Sequence, residues 1–153
     1  MEYSIQNCDN VFELGRIAIW ILEHPQLSIE QRTAQMQSLL QRAAQFDDID
    51  ARDPQGQTLF SHIVVSNTDS TVFPVKEQFM RILLDMGADL NQREARGVTP
   101  LMWSVLFNNR STTDLLLHLG ADYSITTPDG KTALDLAEQC GYYDIVAVIR
   151  NFI

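Results

Sequence analysis

The chain has 153 residues, a formal net charge of −9 and 45% apolar residues, seven of them phenylalanine. That is enough for one folded domain and too apolar for a disordered one. No run of about 18 apolar residues could span a bilayer, and acidic excess in the N-terminal, central and C-terminal thirds alike disfavours nucleic acid and anionic membrane as partners.

Residues 1–8 read as a short irregular lead. Asn10 can cap a helix, with Glu13 three residues later completing a capping box. Val11, Leu14, Ala18, Ile21 and Leu22 then follow helical spacing until His24-Pro25, because a residue before proline avoids the helical region. This apolar stretch contains Glu13 and Arg16 and no basic segment precedes it, so no secretory leader is expected and the expected location is cytoplasmic. Ser28 with Gln31 marks a second helix start, and Met36, Leu39, Leu40 and Ala43 give that helix one buried face. Phe46-Asp47-Asp48-Ile49-Asp50 follows as a turn, its carboxylates expected to be solvated.

Asp53-Pro54-Gln55-Gly56 is a tight-turn sequence, and Pro128-Asp129-Gly130 is another. Glu94-Ala95-Arg96-Gly97 stands in the same phase. Each turn leads into a helix entry: Gly56-Gln57-Thr58-Leu59-Phe60, Gly97-Val98-Thr99-Pro100-Leu101 and Gly130-Lys131-Thr132-Ala133-Leu134. A threonine hydroxyl there can accept from an orphan amide, and proline tolerates the first helical position. Leu115-Leu116-Leu117 and Ile145-Val146-Val148-Ile149 mark outer helices, and Gly87 and Gly120 suit the positive φ that ends such a helix.

Gly97 and Gly130 lie 33 positions apart, as do Gly87 and Gly120. Two independent landmarks with one period indicate stacked repeats. Gly56 to Gly97 and Ile49 to Leu90 both span 41 positions, which places an eight-residue insertion in the repeat before. It is assigned to Ser66–Pro74, a polar loop that carries Val72 and Phe73, with Phe73 either folded back over adjoining helices or facing a partner.

These motifs resemble ankyrin repeats. Thr99-Pro100-Leu101-Met102-Trp103-Ser104-Val105 matches T-P-L-H-x-A-A, Thr132-Ala133-Leu134-Asp135-Leu136-Ala137 matches T-A-L-D-L-A, and L-L-x-x-G-A-D occurs at Leu83–Asp89 and Leu116–Asp122. The resemblance implies an all-α ankyrin-repeat solenoid of stacked helix-turn-helix units with β-hairpin-like loops. It implies a single domain over 1–153: a helical cap or degenerate repeat at 1–50, a repeat with the insertion near 66–74 at 51–91, a repeat at 92–124 and a C-terminal capping repeat at 125–153. It further implies that the loop tips and inner helices form a concave surface for a protein partner. The outward positions would then be Arg52, Pro54, Gln55, Gln57, Val65 and Ser66, then Arg93, Ala95, Arg96, Val98, Leu106 and Phe107, then Thr126, Pro128, Asp129, Lys131, Gln139 and Cys140. Trp103 lies one turn before Phe107 and either joins that surface or packs on neighbouring repeats. Arginine and aromatic residues are the types enriched at interface hot spots.

No catalytic constellation is present: H-E-x-x-H, C-x-x-C, P-loop and G-x-S-x-G patterns are absent. His24, His62 and His118 are expected as surface or rim residues, and neither a cofactor nor a metal is expected. Cys8 and Cys140 are far apart and fit unpaired thiols. The expectation is a non-catalytic protein-binding module that acts by occupying a protein partner, a basic one by charge. A stoichiometric inhibitor, such as an immunity protein covering a toxin, is the specific case. Monomer is expected over homodimer, and a self-associating scaffold built on Leu106 and Phe107 is the alternative.

Overall fold

The computed structural model describes residue 5 and residues 10–153. The irregular lead at 1–8, apart from Ile5, and Cys8 fall outside the described residues. The described residues form eight helices: α1 Val11–Glu23, α2 Ile29–Ala43, α3 Leu59–Val65, α4 Phe73–Asp85, α5 Pro100–Leu106, α6 Arg110–His118, α7 Ala133–Cys140 and α8 Tyr143–Arg150. No strand occurs among the described residues, and no helix among them is long and apolar enough to cross a membrane. The fold class is all-α, as the repeat motifs require.

The caps follow local sequence rules. Asn10 Oδ1 accepts from the Glu13 amide at 3.0 Å, and Ser28 and Gln31 form a reciprocal capping box. Thr58, Thr99 and Thr132 each accept the N3 amide of the inner helix that follows. Asp135 closes the box on Thr132, accepting its amide at 2.8 Å, which is the helix-to-turn tie expected of it. Helices of seven to nine residues such as α3, α5 and α6 are too short to persist alone in water. Packing therefore holds them.

The chain divides into two compact units, Met1–Asp89 and Leu90–Ile153. In the first, the pair α1–α2 stacks on the pair α3–α4, with α1 against α3 and α2 against α4. Its core comprises Leu14, Ile21, Met36, Leu39, Leu59, Ile63, Phe79 and Leu83, each contributing about 1.5–3 kcal/mol by burial. In the second, α5–α6 stacks on α7–α8 in the same way, α5 against α7 and α6 against α8. Ser104 and Ala137 are fully buried at the close approaches, and the Ser104 hydroxyl meets that of Thr113 at 2.9 Å between α5 and α6.

Three expectations need correction. The connector after α3 ends at Val72, and Phe73 and Pro74 belong to the first turn of α4 rather than to a loop. Asp69 organises that connector by accepting the amides of Thr71 and Val72, so Val72 can sink into the core as the helix begins. His62 is buried, not at the rim, because Asp53 supplies a partner for its ring and Gly15 of α1 leaves space for it. Asp50 is not a purely solvated turn residue: both carboxylate oxygens receive the Asp89 amide at 3.1 Å, and burial raises its pKa above the ordinary value.

Candidate functional site

Three loops precede the inner helices and share one hydrogen-bond pattern. The amide of Asp53, Glu94 or Thr127 donates to the carbonyl four residues on (Gln57, Val98 or Lys131) at 2.8–3.1 Å. The amide of Gly56, Gly97 or Gly130 returns to the first residue's carbonyl at 2.8–2.9 Å. The return needs a left-handed residue: Gly97 has φ +76°, and a Cβ there would come within 2.8 Å of Pro128 Cδ. The loops at 94–98 and 127–131 thus touch within the second unit. Asn91 adds a tie inside that unit, its Oδ1 accepting the Asp122 amide at 2.9 Å.

In the first unit, Arg52 and Gln55 are exposed and Gln57 is half-buried, whereas Ser66, expected outward, is buried because its hydroxyl turns back to the Ile63 carbonyl. Asp53 shapes this tip: its Oδ1 accepts the amides of Gln55 and Gln57 at 2.9 and 2.8 Å, and its Oδ2 meets His62 Nε2 at 3.0 Å. Phe73 is half-buried at the start of α4.

In the second unit, Arg93 and Arg96 are exposed at the loop tip, whereas Val98 is buried and offers a partner little area. Phe107 is 57% exposed at the C-cap of α5. Its ring lies 5.7 Å from that of half-buried Trp103, tilted by 44°. Leu106 beside them is half-buried. The Trp103 indole nitrogen is itself buried and has no hydrogen-bond partner. In the third loop, Lys131 Nζ donates to Gln139 Oε1 at 2.6 Å and lies 3.7 Å from Asp129 Oδ2. The Thr127 hydroxyl, donating to Asp129, holds that carboxylate below its ordinary pKa.

The structure therefore joins Trp103 with Phe107, and Asp129 with Lys131. Nearby in the same unit, an open cleft of about 280 Å³ is lined by Asn108, Gly141, Tyr142, Tyr143 and Asp144. A single carboxylate and two phenols there supply no convergent catalytic set. Among the described residues no group of three or more His, Cys, Asp and Glu side chains could hold a metal ion.

Sequence reasoning missed two buried basic side chains of the first unit. Arg32 donates to the carbonyls of Ile21 and His24, and Lys76 to those of Val64 and Ser66. Each meets orphan carbonyls at a helix C-terminus, and the permanent charge of Arg32 suits the helix dipole there. A signal existed for Lys76, which falls in phase with Val72, Phe79, Met80 and Leu83 on the apolar side of α4.

A family model described as ankyrin repeats, in three copies, matches residues 32–151. The chain is similar to an ankyrin repeat protein of Rickettsia bellii, 28% identical over 100 residues that make up 65% of this chain and 60% of that protein. It is 35% identical over 60 residues to an ankyrin repeat protein of Borreliella burgdorferi, covering 39% of this chain and 27% of the other. A third relative, protein fem-1 homolog C of Xenopus laevis, is 34% identical over 94 residues, 56% of this chain and 15% of that protein. The matches thus span less than two thirds of each of these relatives. With the model match covering well over half of its length, the chain belongs to the ankyrin-repeat family.

Proposed function

We propose that this chain binds a protein partner through its loop tips and inner-helix ends and acts by occupying that partner. Ankyrin repeats indicate a protein–protein interaction module, and the family is typically non-catalytic. The helix pair α1–α2 serves in this reading as the degenerate first repeat that caps the array. The observation that carries the reading is Phe107, an aromatic ring left 57% exposed while tilted against the ring of Trp103. A ring in that state loses water contact on binding with little further loss of side-chain freedom. Arg93 and Arg96, in the loop that leads into the same inner helix, are exposed cations that can pair with carboxylates. Trp103 can turn its unpaired indole N–H toward a partner's acceptor, recovering part of the roughly 1–3 kcal/mol that an unsatisfied buried donor costs.

The net charge of −9 supports a basic partner and fast encounter with it. A stoichiometric inhibitor, of the kind that covers a basic toxin, fits that charge and acts as a monomer in the cytoplasm. Affinity purification from the native cell, with the captured protein identified by mass spectrometry, supplies the partner. Phe107→Ala and Arg96→Ala together should then weaken the complex at least tenfold while moving the melting temperature by less than about 2 °C. Equal binding by wild type and variant would overturn this face, and binding indifferent to salt would overturn the basic partner. The exposed Phe107 also favours a second reading, self-association. A dimer in sedimentation at micromolar concentration, lost on Phe107→Asp, would establish it.

A further inference from the structure

Lys76 has no exposed surface, yet its Nζ reaches the end of α3 and donates to the carbonyls of Val64 and Ser66, both at 2.8 Å. These are carbonyls of the last helical residues and cap, which the helix leaves unpaired. The next residue is gripped from another direction: Glu23 at the end of α1 accepts the Asn67 amide on Oε1 at 2.6 Å. The connector 66–72 is thus held at its root by α4 and α1 together.

The site's geometry suits an uncharged amine. A neutral amine has two N–H donors and an ammonium three, and the two carbonyls are the acceptors supplied. Among the described residues no carboxylate stands within ion-pair distance of Nζ. Burial accordingly pushes the Lys76 pKa down to about 7, with the field of Glu23 opposing. Four other charged or titratable groups on the surrounding elements are engaged elsewhere. Arg32 of α2 binds the carbonyls of Ile21 and His24, His62 of α3 binds Asp53, Asp69 of the connector holds Thr71 and Val72, and Glu77 of α4 pairs with Arg81.

We propose that Lys76 is a proton-operated latch, seating the connector 66–72 on the end of α3 as a neutral amine and releasing it as a proton is taken up. Once the connector lifts, water reaches the amine and its pKa returns toward the ordinary 10.5. Between about 7 and 10.5 the open form therefore binds one proton more than the seated form. Opening becomes up to tenfold easier for each pH unit lost in that window and levels off below it. The device lies within the first unit and uses none of Arg93, Arg96, Trp103 and Phe107.

Amide hydrogen exchange on the full chain tests the latch. After correction for intrinsic exchange chemistry, the opening constant at Asn67 should fall three- to tenfold per pH unit between pH 7 and 9. In Lys76→Met the same amide should exchange with a pH-independent opening constant. The wild-type Lys76 Cε resonance should titrate with a midpoint near 7, and Glu23→Gln should lower that midpoint while keeping an acceptor for Asn67. A Lys76 midpoint near 10.5, or a pH slope at Asn67 that survives Lys76→Met, overturns the proposal. The wild-type titration decides alone where Lys76→Met does not fold.

Discussion

A single hydrogen in place of a methyl decides how closely α1 and α3 meet. A Cβ on Gly15 would come within 2.7 Å of His62 Cγ and 3.1 Å of His62 Cβ, and the far side of that ring is bound to Asp53. The ring cannot swing away without losing the Asp53 contact and leaving a buried polar group unpaired. Two effects compete in Gly15→Ala. Alanine gains about 1 kcal/mol of helix propensity over glycine, whereas overpacking a tight core costs about 1–3 kcal/mol. The collision involves the root of a tethered side chain, so overpacking wins. We expect a net loss of about 1 kcal/mol and a melting temperature lower by about 2–4 °C in a thermal scan. In a His62→Ala background the same change should become neutral or stabilising, since the clash is gone. A raised melting temperature in the wild-type background would show that the ring relocates at little cost. None of this was legible in the sequence. A histidine in an apolar heptad carries no mark of its partner, and Gly15 differs from any tolerated helix glycine only through its neighbour across the packing.

Elements with a local cause were legible, and those with a tertiary cause were not. The inner-helix starts at Thr58, Thr99 and Thr132 follow from a hydroxyl meeting an amide three residues on, a rule contained in four residues. The start of α4 departs from that rule, because Val72 at its cap makes no side-chain hydrogen bond and only Pro74 in the first turn marks it. Its apolar Val72 and Phe73 therefore read as loop residues out of place. The same division runs through the candidate face. Exposure of Arg52, Arg93, Arg96 and Phe107 follows from loop and helix-end position, whereas burial of Val98 depends on what surrounds it. The loop tips themselves can be tested as elements. Asp53 alone holds two amides of its loop and the His62 ring, so Asp53→Ala should lower the free energy of urea unfolding by about 2–3 kcal/mol. Asp53→Asn keeps an acceptor for the amides and should cost about half as much. Equal losses from the two variants would mean that the charge toward His62, not the loop closure, dominates.

Over the whole molecule, the acidic residues make opposing contributions to stability as pH falls. Among the described residues four carboxylates are held below their ordinary range: Asp69 by the Thr71 hydroxyl first, Asp122 by the Ser124 hydroxyl, Asp129 by the Thr127 hydroxyl and Asp135 by the Thr132 amide. For each, the unfolded chain binds the proton sooner, near 3.8. The stability they contribute is therefore present above about that pH and is lost as pH falls through their folded values. Asp50 acts with the opposite sign. Burial raises its folded pKa, so its contribution improves as acid protonates it. A third influence is collective: a net charge of −9 repels itself in the compact state, and partial neutralisation relieves that strain before the four capped carboxylates titrate. The expected profile is a urea midpoint that holds level or rises slightly from pH 7 to 5, then drops between pH 4 and 2.5. Sodium chloride at 0.5 M should raise the midpoint at pH 7 by screening the repulsion and should narrow the gap between pH 7 and 5. Combining Asp69→Asn, Asp122→Asn, Asp129→Asn and Asp135→Asn should flatten the acid drop while lowering the midpoint at neutral pH. An acid drop of unchanged depth in that variant would assign it to carboxylates other than those at the turns and caps.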